Sequence, residues 1–239
     1  MFSLLTKIWR LVLDILFPNI CFSCRRFLKD DEKVLCAACS RELIIASALS
    51  CPVCSARLPV SPIPPRLNYC HPAAGFRLGA ALSYRTPAVR SLIHALKFGR
   101  LTPAGELLGK CLASYAEGLG LLFQNYVIVP IPLSASRRRA RGFNQAELLA
   151  SILARRLNLP LKYLLIRTRH THPQAELKRA AREHNIAGCF AIRFPEAVKK
   201  QNIILVDDVY TSGSTIREAV QTLKTAGSGT ITVLVAARA

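Results

Sequence analysis

Residues 203–215 read Ile-Ile-Leu-Val-Asp-Asp-Val-Tyr-Thr-Ser-Gly-Ser-Thr, and no other stretch limits the fold so sharply. Asn202 to Asp207 is a strand of the buried type, with two carboxylates at its carboxyl end. A turn rich in hydroxyls and glycine then opens a helix, whose apolar face is Ile216, Ala219, Val220 and Leu223 and whose end is marked by Gly227. A second apolar strand follows at 230–236. Strand, helix and strand within so few residues form a unit that requires a mostly parallel sheet covered by helices. The turn suits a phosphate: backbone N–H groups from Thr211 to Thr215 point at one place, Gly213 permits close approach, and the helix dipole favours an anion. Tyr210 precedes the turn; Ser212, Ser214 and Thr215 add hydroxyls. Asp207 and Asp208 are expected to converge on sugar hydroxyls at the strand end. No G-x-G-x-x-G occurs, so a sugar phosphate fits better than a dinucleotide. Read residue by residue, the same string is an N-cap after a buried strand.

The rest of the body agrees. Val89, Leu92, Ile93 and Leu96 recur at helical spacing, as do Leu149, Ile152, Leu153 and Leu157, and 126–131 is a short β-branched run ended by prolines. With 239 residues the chain accommodates one α/β domain and a small module. The expected division is 1–74 for an N-terminal helix, Cys-rich zinc-binding domain and Pro-rich linker, and 75–239 for the α/β body.

Three C-x-x-C pairs, Cys21/Cys24, Cys36/Cys39 and Cys51/Cys54, each start fifteen residues after the last. A two-residue spacer lets a tight turn aim both thiolates at one tetrahedral Zn²⁺, and two pairs close a structural site. The simplest assignment gives Cys21, Cys24, Cys36 and Cys39 to one zinc. Cys51, Cys54 and Cys70 then need a fourth ligand, for which His71 is the nearest candidate, although neighbouring residues seldom reach the same metal. An interleaved pairing meets the same spacing. The metal would serve folding, since so small a head has little core.

Lys7, Arg10 and Asp14 interrupt the apolar N-terminus, so a short docking helix is expected there rather than a membrane span or secretory signal. The expected compartment is the reducing cytoplasm, where nine cysteines are not a disulfide framework.

Net charge is +19, and residues 137–200 carry 15 basic against 4 acidic side chains. Such an excess points to polyanions. Arg137, Arg138, Arg139 and Arg141 follow the strand end at 129–133 and are read either as an anion-binding loop or as a solvated basic loop. Arg167, Arg169, Lys178, Arg179 and Arg182 would extend a strip along a nucleic-acid backbone. Phe143 is read as a core anchor rather than a base-stacking aromatic, and Lys97 as a further cation on the same anion-binding side as Arg137–Arg141. His94, His170, His172 and His184 have no metal spacing.

The string Val206–Thr215 closely resembles the phosphoribosyl pyrophosphate (PRPP) signature of type I phosphoribosyltransferases. Together with HALKFGR (94–100), VPIPLSASRRRARGFNQAELLA (129–150), RTRHTHPQAELKRAAREHNIAG (167–188) and the cysteine-rich head, it resembles the ComF family of competence proteins over nearly the full length. The family commonly has a second C-x-x-C pair where this chain has only Cys70-His-Pro-Ala73. The resemblance implies a type I phosphoribosyltransferase-like α/β fold and a role in natural transformation, with single-stranded DNA and competence-machinery proteins as partners. It also implies PRPP with Mg²⁺ in the pocket, and pyrophosphate near Arg137–Arg141. Three functions remain open at this point: a DNA-handling protein with a PRPP pocket, a transferase on an unknown acceptor, and a PRPP sensor.

Overall fold

A computed structural model describes residues 19–58, 70–99, 101–120, 123–168 and 188–239. The expected N-terminal helix, most of the Pro-rich linker, Arg169, His170, His172, Lys178, Arg179, Arg182 and His184 lie outside them. The strands are β1 (Leu49–Ser50), β2 (Arg57–Leu58), β3 (Arg77–Ser83), β4 (Tyr126–Pro130), β5 (Leu165–Arg167), β6 (Phe190–Ile192), β7 (Asn202–Tyr210) and β8 (Ile231–Arg238). The helices are α1 (Ala37–Arg41), α2 (Pro87–Phe98), α3 (Thr102–Gly118), α4 (Ala135–Arg141), α5 (Gln145–Leu157) and α6 (Ser214–Thr225).

Six strands make one sheet in the order β2-β1-β3-β8-β7-β4, while β5 and β6 pair separately. Neighbours from β3 to β4 are parallel. The hairpin β1–β2 lies upstream of residue 75 yet adds an antiparallel edge to β3 through Ser50 and Leu78. Head and body therefore share a sheet.

Alternate residues of the central strands feed opposite cores, as the two-residue strand period demands. Ile204 and Val206 pack with Leu92 of α2, Leu108 of α3 and Leu149 of α5. Ile203 and Leu205 pack with Ile216, Ala219, Val220 and Leu223 of α6. Leu92, Leu108 and Leu149 are fully buried, so truncating any of them to Ala would cost about 2–5 kcal/mol. Phe143 packs against the first of these cores, as expected. Among the described residues no helix is long and apolar enough to cross a membrane.

Two expectations need correction. The strand read as 202–207 runs on to Tyr210, because β8 continues beside it and pairs Asp207 with Val235, Val209 with Ala237 and Tyr210 with Arg238. The arginine stretch is a helix, α4, rather than a loop. Ser134 caps its start by accepting the Arg137 amide at 3.4 Å, and Gly142 closes it in the left-handed region at φ 83°. Arginine is a good helix former, so a cap at each end is enough to decide the matter.

Candidate functional site

The pocket forms where β4 stops and β7 does not. The β4–β7 register ends at Pro130 and Val206, so among the described residues β7 beyond it presents a free edge. Side chains that alternate between faces can both reach a pocket wrapped around such an edge. Asp207 and Asp208 line it together, with Lys97, Arg137, Arg141, Arg167, Thr211, Gly213, Ser214 and Thr215 also in its wall. The two carboxylates thus meet without the strand ending, contrary to the expected geometry.

Asp208 is buried and pairs with Lys97 Nζ at 3.1 Å. The first carboxylate oxygen of Asp207 accepts the Asp208 amide at 2.8 Å. Burial, reinforced by the charge of Asp208, pushes the Asp207 carboxyl up to about 7, while its amide bond and the nearby Lys97 and Arg167 charges oppose the shift. Burial and the charges of Arg167 and Arg141 lower the Arg137 pKa. Three guanidiniums and an ammonium facing two carboxylates leave a formal excess of two positive charges, the condition for holding an anion.

The turn at 211–215 leads from β7 into α6. Gly213 occupies the N-cap of α6 at φ 74°, and a Cβ there would collide with the phenol oxygen of Tyr210. Arg217 donates to the Ser212 carbonyl at 2.8 Å, and the Ser212 and Ser214 hydroxyls lie 3.0 Å apart. Ser214 is buried in the first turn of the helix.

Not every candidate reaches the pocket wall. Arg138 forms an exposed pair with Glu147, with both N···O distances at 3.3 Å, and Arg139 is exposed. Tyr210 is buried, and its hydroxyl donates instead to the Pro52 carbonyl of the head at 3.3 Å. Conversely, Asn144 and Gln145 line the pocket without having been singled out, although both belong to the RGFNQA string that carries the resemblance. Asn144 caps α5 through the Ala146 amide at 3.1 Å and donates to the Ile131 carbonyl at 3.0 Å, joining two pocket walls. Gln145 accepts from Arg141 at 3.0 Å and so orients that guanidinium. Their signal was two amide side chains at a helix start, beside a run of arginines.

The cysteines converge as two groups: Cys21, Cys24, Cys36 and Cys39, and Cys51, Cys54, Cys70 and His71, with all ligand atoms of each group within 4.8 Å of one another. Cys24 and Cys36 sulfurs are 3.7 Å apart, close to the ~3.8 Å that tetrahedral 2.3 Å zinc–thiolate bonds give. In the second group Cys54 and Cys70 sulfurs are 3.4 Å apart, and His71 Nδ1 lies 3.5 Å from Cys51 and 3.4 Å from Cys70. Adjacency does not keep Cys70 and His71 from the same point. In the first group the Cys39 amide, with help from Arg26, brings the Cys36 thiol down to about 6, while burial pushes Cys39 up to about 12. Crowded thiols resist common ionisation, and a bound cation removes that resistance. The donor sets fit structural zinc.

An open groove adjoins the pocket between the first cluster and α2. Phe22, Arg25, Tyr84, Arg90, His94 and Phe98 line it, and the Arg141 guanidinium sits 5.7 Å over the Phe98 ring.

Comparison with known proteins agrees with both halves. The phosphoribosyl transferase domain family matches residues 144–239, and the double zinc ribbon domain family residues 12–73. The chain is 32% identical over 223 residues to the DNA utilization protein YhgH of Shigella flexneri, covering 90% of this chain and 95% of that one. It is 28% identical over 220 residues to the competence protein ComFC of Bacillus subtilis, covering 90% and 82%. Competence protein F of Haemophilus influenzae is 38% identical over 118 residues, or 47% of this chain and 50% of that protein.

Proposed function

The chain belongs to the ComF family of competence proteins, and from that premise we propose that it handles single-stranded DNA and carries a pocket for PRPP or a related sugar phosphate, with Mg²⁺ accompanying the pyrophosphate. The observation that carries the reading is the free edge of β7, which offers a carboxylate from each face between a cationic wall and the N-terminus of α6. The Thr211–Thr215 amides and hydroxyls would hold the ribose phosphate. Asp207 and Asp208 would accept the ribose hydroxyls and orient Mg²⁺ through water, while Lys97, Arg137 and Arg141 would face the pyrophosphate. Mg²⁺ supplies charge neutralisation of that pyrophosphate.

The groove supports the nucleic-acid half, because Phe98 is 65% exposed and stands among Arg25, Arg90 and Arg141. Exposed aromatics stack bases and neighbouring cations hold phosphates. In this reading the strand lies beside the pocket, and the proposed work is done on the cytoplasmic side.

Calorimetric titration of PRPP with Mg²⁺, with and without a single-stranded oligonucleotide, followed by product analysis, tests both halves. Binding of PRPP without turnover supports a binder or sensor, whereas transfer of the phosphoribosyl group to an added acceptor shows an enzyme. DNA affinity should fall with salt by about 0.7 logarithmic units per phosphate neutralised. Phe98→Ala should weaken the oligonucleotide roughly tenfold. Failure of wild-type protein to bind DNA at low salt overturns the DNA reading.

A further inference from the structure

Three contacts join the second cysteine cluster to the phosphate turn. We propose that they make Tyr210 and Arg238 positioning residues, through which metal in the Cys51–Cys54–Cys70–His71 cluster sets the phosphate affinity of the Thr211–Thr215 turn. This inference rests on the pocket reading above.

Tyr210 is the last residue of β7, directly before the turn, and its phenol fills the space that the missing Gly213 side chain leaves. The hydroxyl donates to the carbonyl of Pro52, which lies inside the Cys51-Pro-Val-Cys54 knuckle. Arg238 faces Tyr210 across the β7–β8 register and places its guanidinium 5.5 Å from the ring centroid. That guanidinium also donates to the Ser50 hydroxyl at 3.2 Å and the Ser55 hydroxyl at 2.7 Å, one on each side of the knuckle. The knuckle is therefore gripped in the middle by Tyr210, which lies against Gly213, and at both shoulders by Arg238, which lies against Tyr210.

A metal ion draws Cys51 and Cys54 to one point and so fixes the direction of the carbonyl between them. Without it the knuckle gains conformational freedom, Tyr210 loses a fixed partner, and the Gly213 backbone loses the surface it lies on. Ordering the amides around a phosphate then costs more entropy. Linkage makes the effect reciprocal: bound phosphate must tighten the metal by the same factor that metal tightens phosphate. The second cluster is also the more accessible of the two, since Cys54, Cys70 and His71 are exposed, whereas only Cys24 is exposed in the first.

The test uses the full chain with ribose 5-phosphate as probe, which needs no Mg²⁺. A chelator should empty the exposed cluster first, and wild-type protein holding one remaining metal equivalent supplies the emptied state with no substitution in the chain. Ribose 5-phosphate should bind roughly fivefold or more weakly in that state. With Co²⁺ in the clusters, ribose 5-phosphate should shift the thiolate-to-cobalt absorption band and raise cobalt affinity by the same factor. Tyr210→Phe, which keeps the ring, and Arg238→Met should each retain two metal equivalents while the coupling falls towards unity. Equal ribose 5-phosphate affinity with one and two metals overturns the coupling alone, and so does coupling that survives both substitutions. No ribose 5-phosphate binding in either metal state overturns the pocket reading and the coupling together.

Discussion

The knuckles at Cys21–Cys24 and Cys51–Cys54 have one backbone design and two surroundings. In each, the first cysteine's amide donates to a carbonyl five residues on, Arg26 or Ala56, at 2.8 Å. In each, the residue after the second cysteine, Arg25 or Ser55, turns left-handed at φ 66° and donates back to the first cysteine's carbonyl. Their neighbours differ. Among the described residues, the hydrogen bonds of 19–44 close within that segment, with Glu32 accepting from Arg26, Lys29 and Ala37. The second knuckle instead hangs between the β1–β2 hairpin and the ends of β7 and β8. One local motif therefore serves two purposes, closing the hydrogen bonds of its own segment in one place and bonding the ends of β7 and β8 in the other.

Removing one ligand from each cluster should separate these purposes most strongly. Cys39→Ser strikes a buried ligand that is part of the first core; metal analysis should show one zinc equivalent lost and expression of folded protein should collapse. A structural zinc in finger peptides contributes about 10–16 kcal/mol, comparable with a domain's whole stability of about 5–15 kcal/mol. Cys54→Ser should lose one equivalent too but leave a folded body. Equal losses of folding in the two variants would erase the contrast.

The next effect distinguishes two routes to a weakened pocket. The double change Asp207→Asn and Asp208→Asn removes charged acceptors worth about 1.5–3 kcal/mol each, so PRPP with Mg²⁺ should bind at least tenfold more weakly while inorganic phosphate changes little. Emptying the second cluster should weaken both ligands alike. If the double variant and Thr215→Ala bind PRPP as wild type does, the pocket is misassigned.

Smaller effects follow pH. The Lys29 and Ala37 amides hold the Glu32 carboxyl below its ordinary value. Its stabilisation of the first knuckle is present above pH 4.5 and lost as pH falls through the lowered folded-state value. Glu32→Gln should therefore flatten the acid limb of a stability profile followed by circular dichroism. Asp207 has the opposite sign. Its folded-state value of about 7 lies above the 3.8 of an exposed carboxyl, so its contribution is present below about 3.8 and is lost as pH rises through 7. Asp207→Asn should remove a fall in stability between these limits. Smallest is Arg138→Ala, which breaks one exposed pair remote from either knuckle and should cost no more than about 1 kcal/mol in denaturant titration.

Much of this protein lay open in local patterns. Apolar period fixed β4, α2, α5, β7, α6 and β8, because a strand or helix must bury the side its residues repeat on. The two-residue cysteine spacers marked the knuckles, and Val206–Thr215 marked the turn between β7 and α6, because both are closed by residues a few positions apart. Local rules also fell short on some short segments. The arginine run looked like a loop because its caps, Ser134 and Gly142, are weak signals beside a charge cluster.

What the tertiary structure alone decided is which of these pieces touch. Nothing within ten residues of Asp207 indicates that β4 stops at Pro130, yet that stop leaves the edge of β7 open to the pocket and lets adjacent carboxylates share it. Tyr210 reads as part of a phosphate motif, but its hydroxyl bonds Pro52, 158 residues away. Arg238 ends β8, and the hydroxyls it bonds are 188 and 183 residues distant. Periodicity and turn chemistry act over a few residues, whereas strand order and the free ends of a sheet are set by closure of the whole core. The sequence therefore determined the parts and their chemistry, and packing decided that the Cys51–Cys54 knuckle bonds Tyr210 and Arg238 at the ends of β7 and β8.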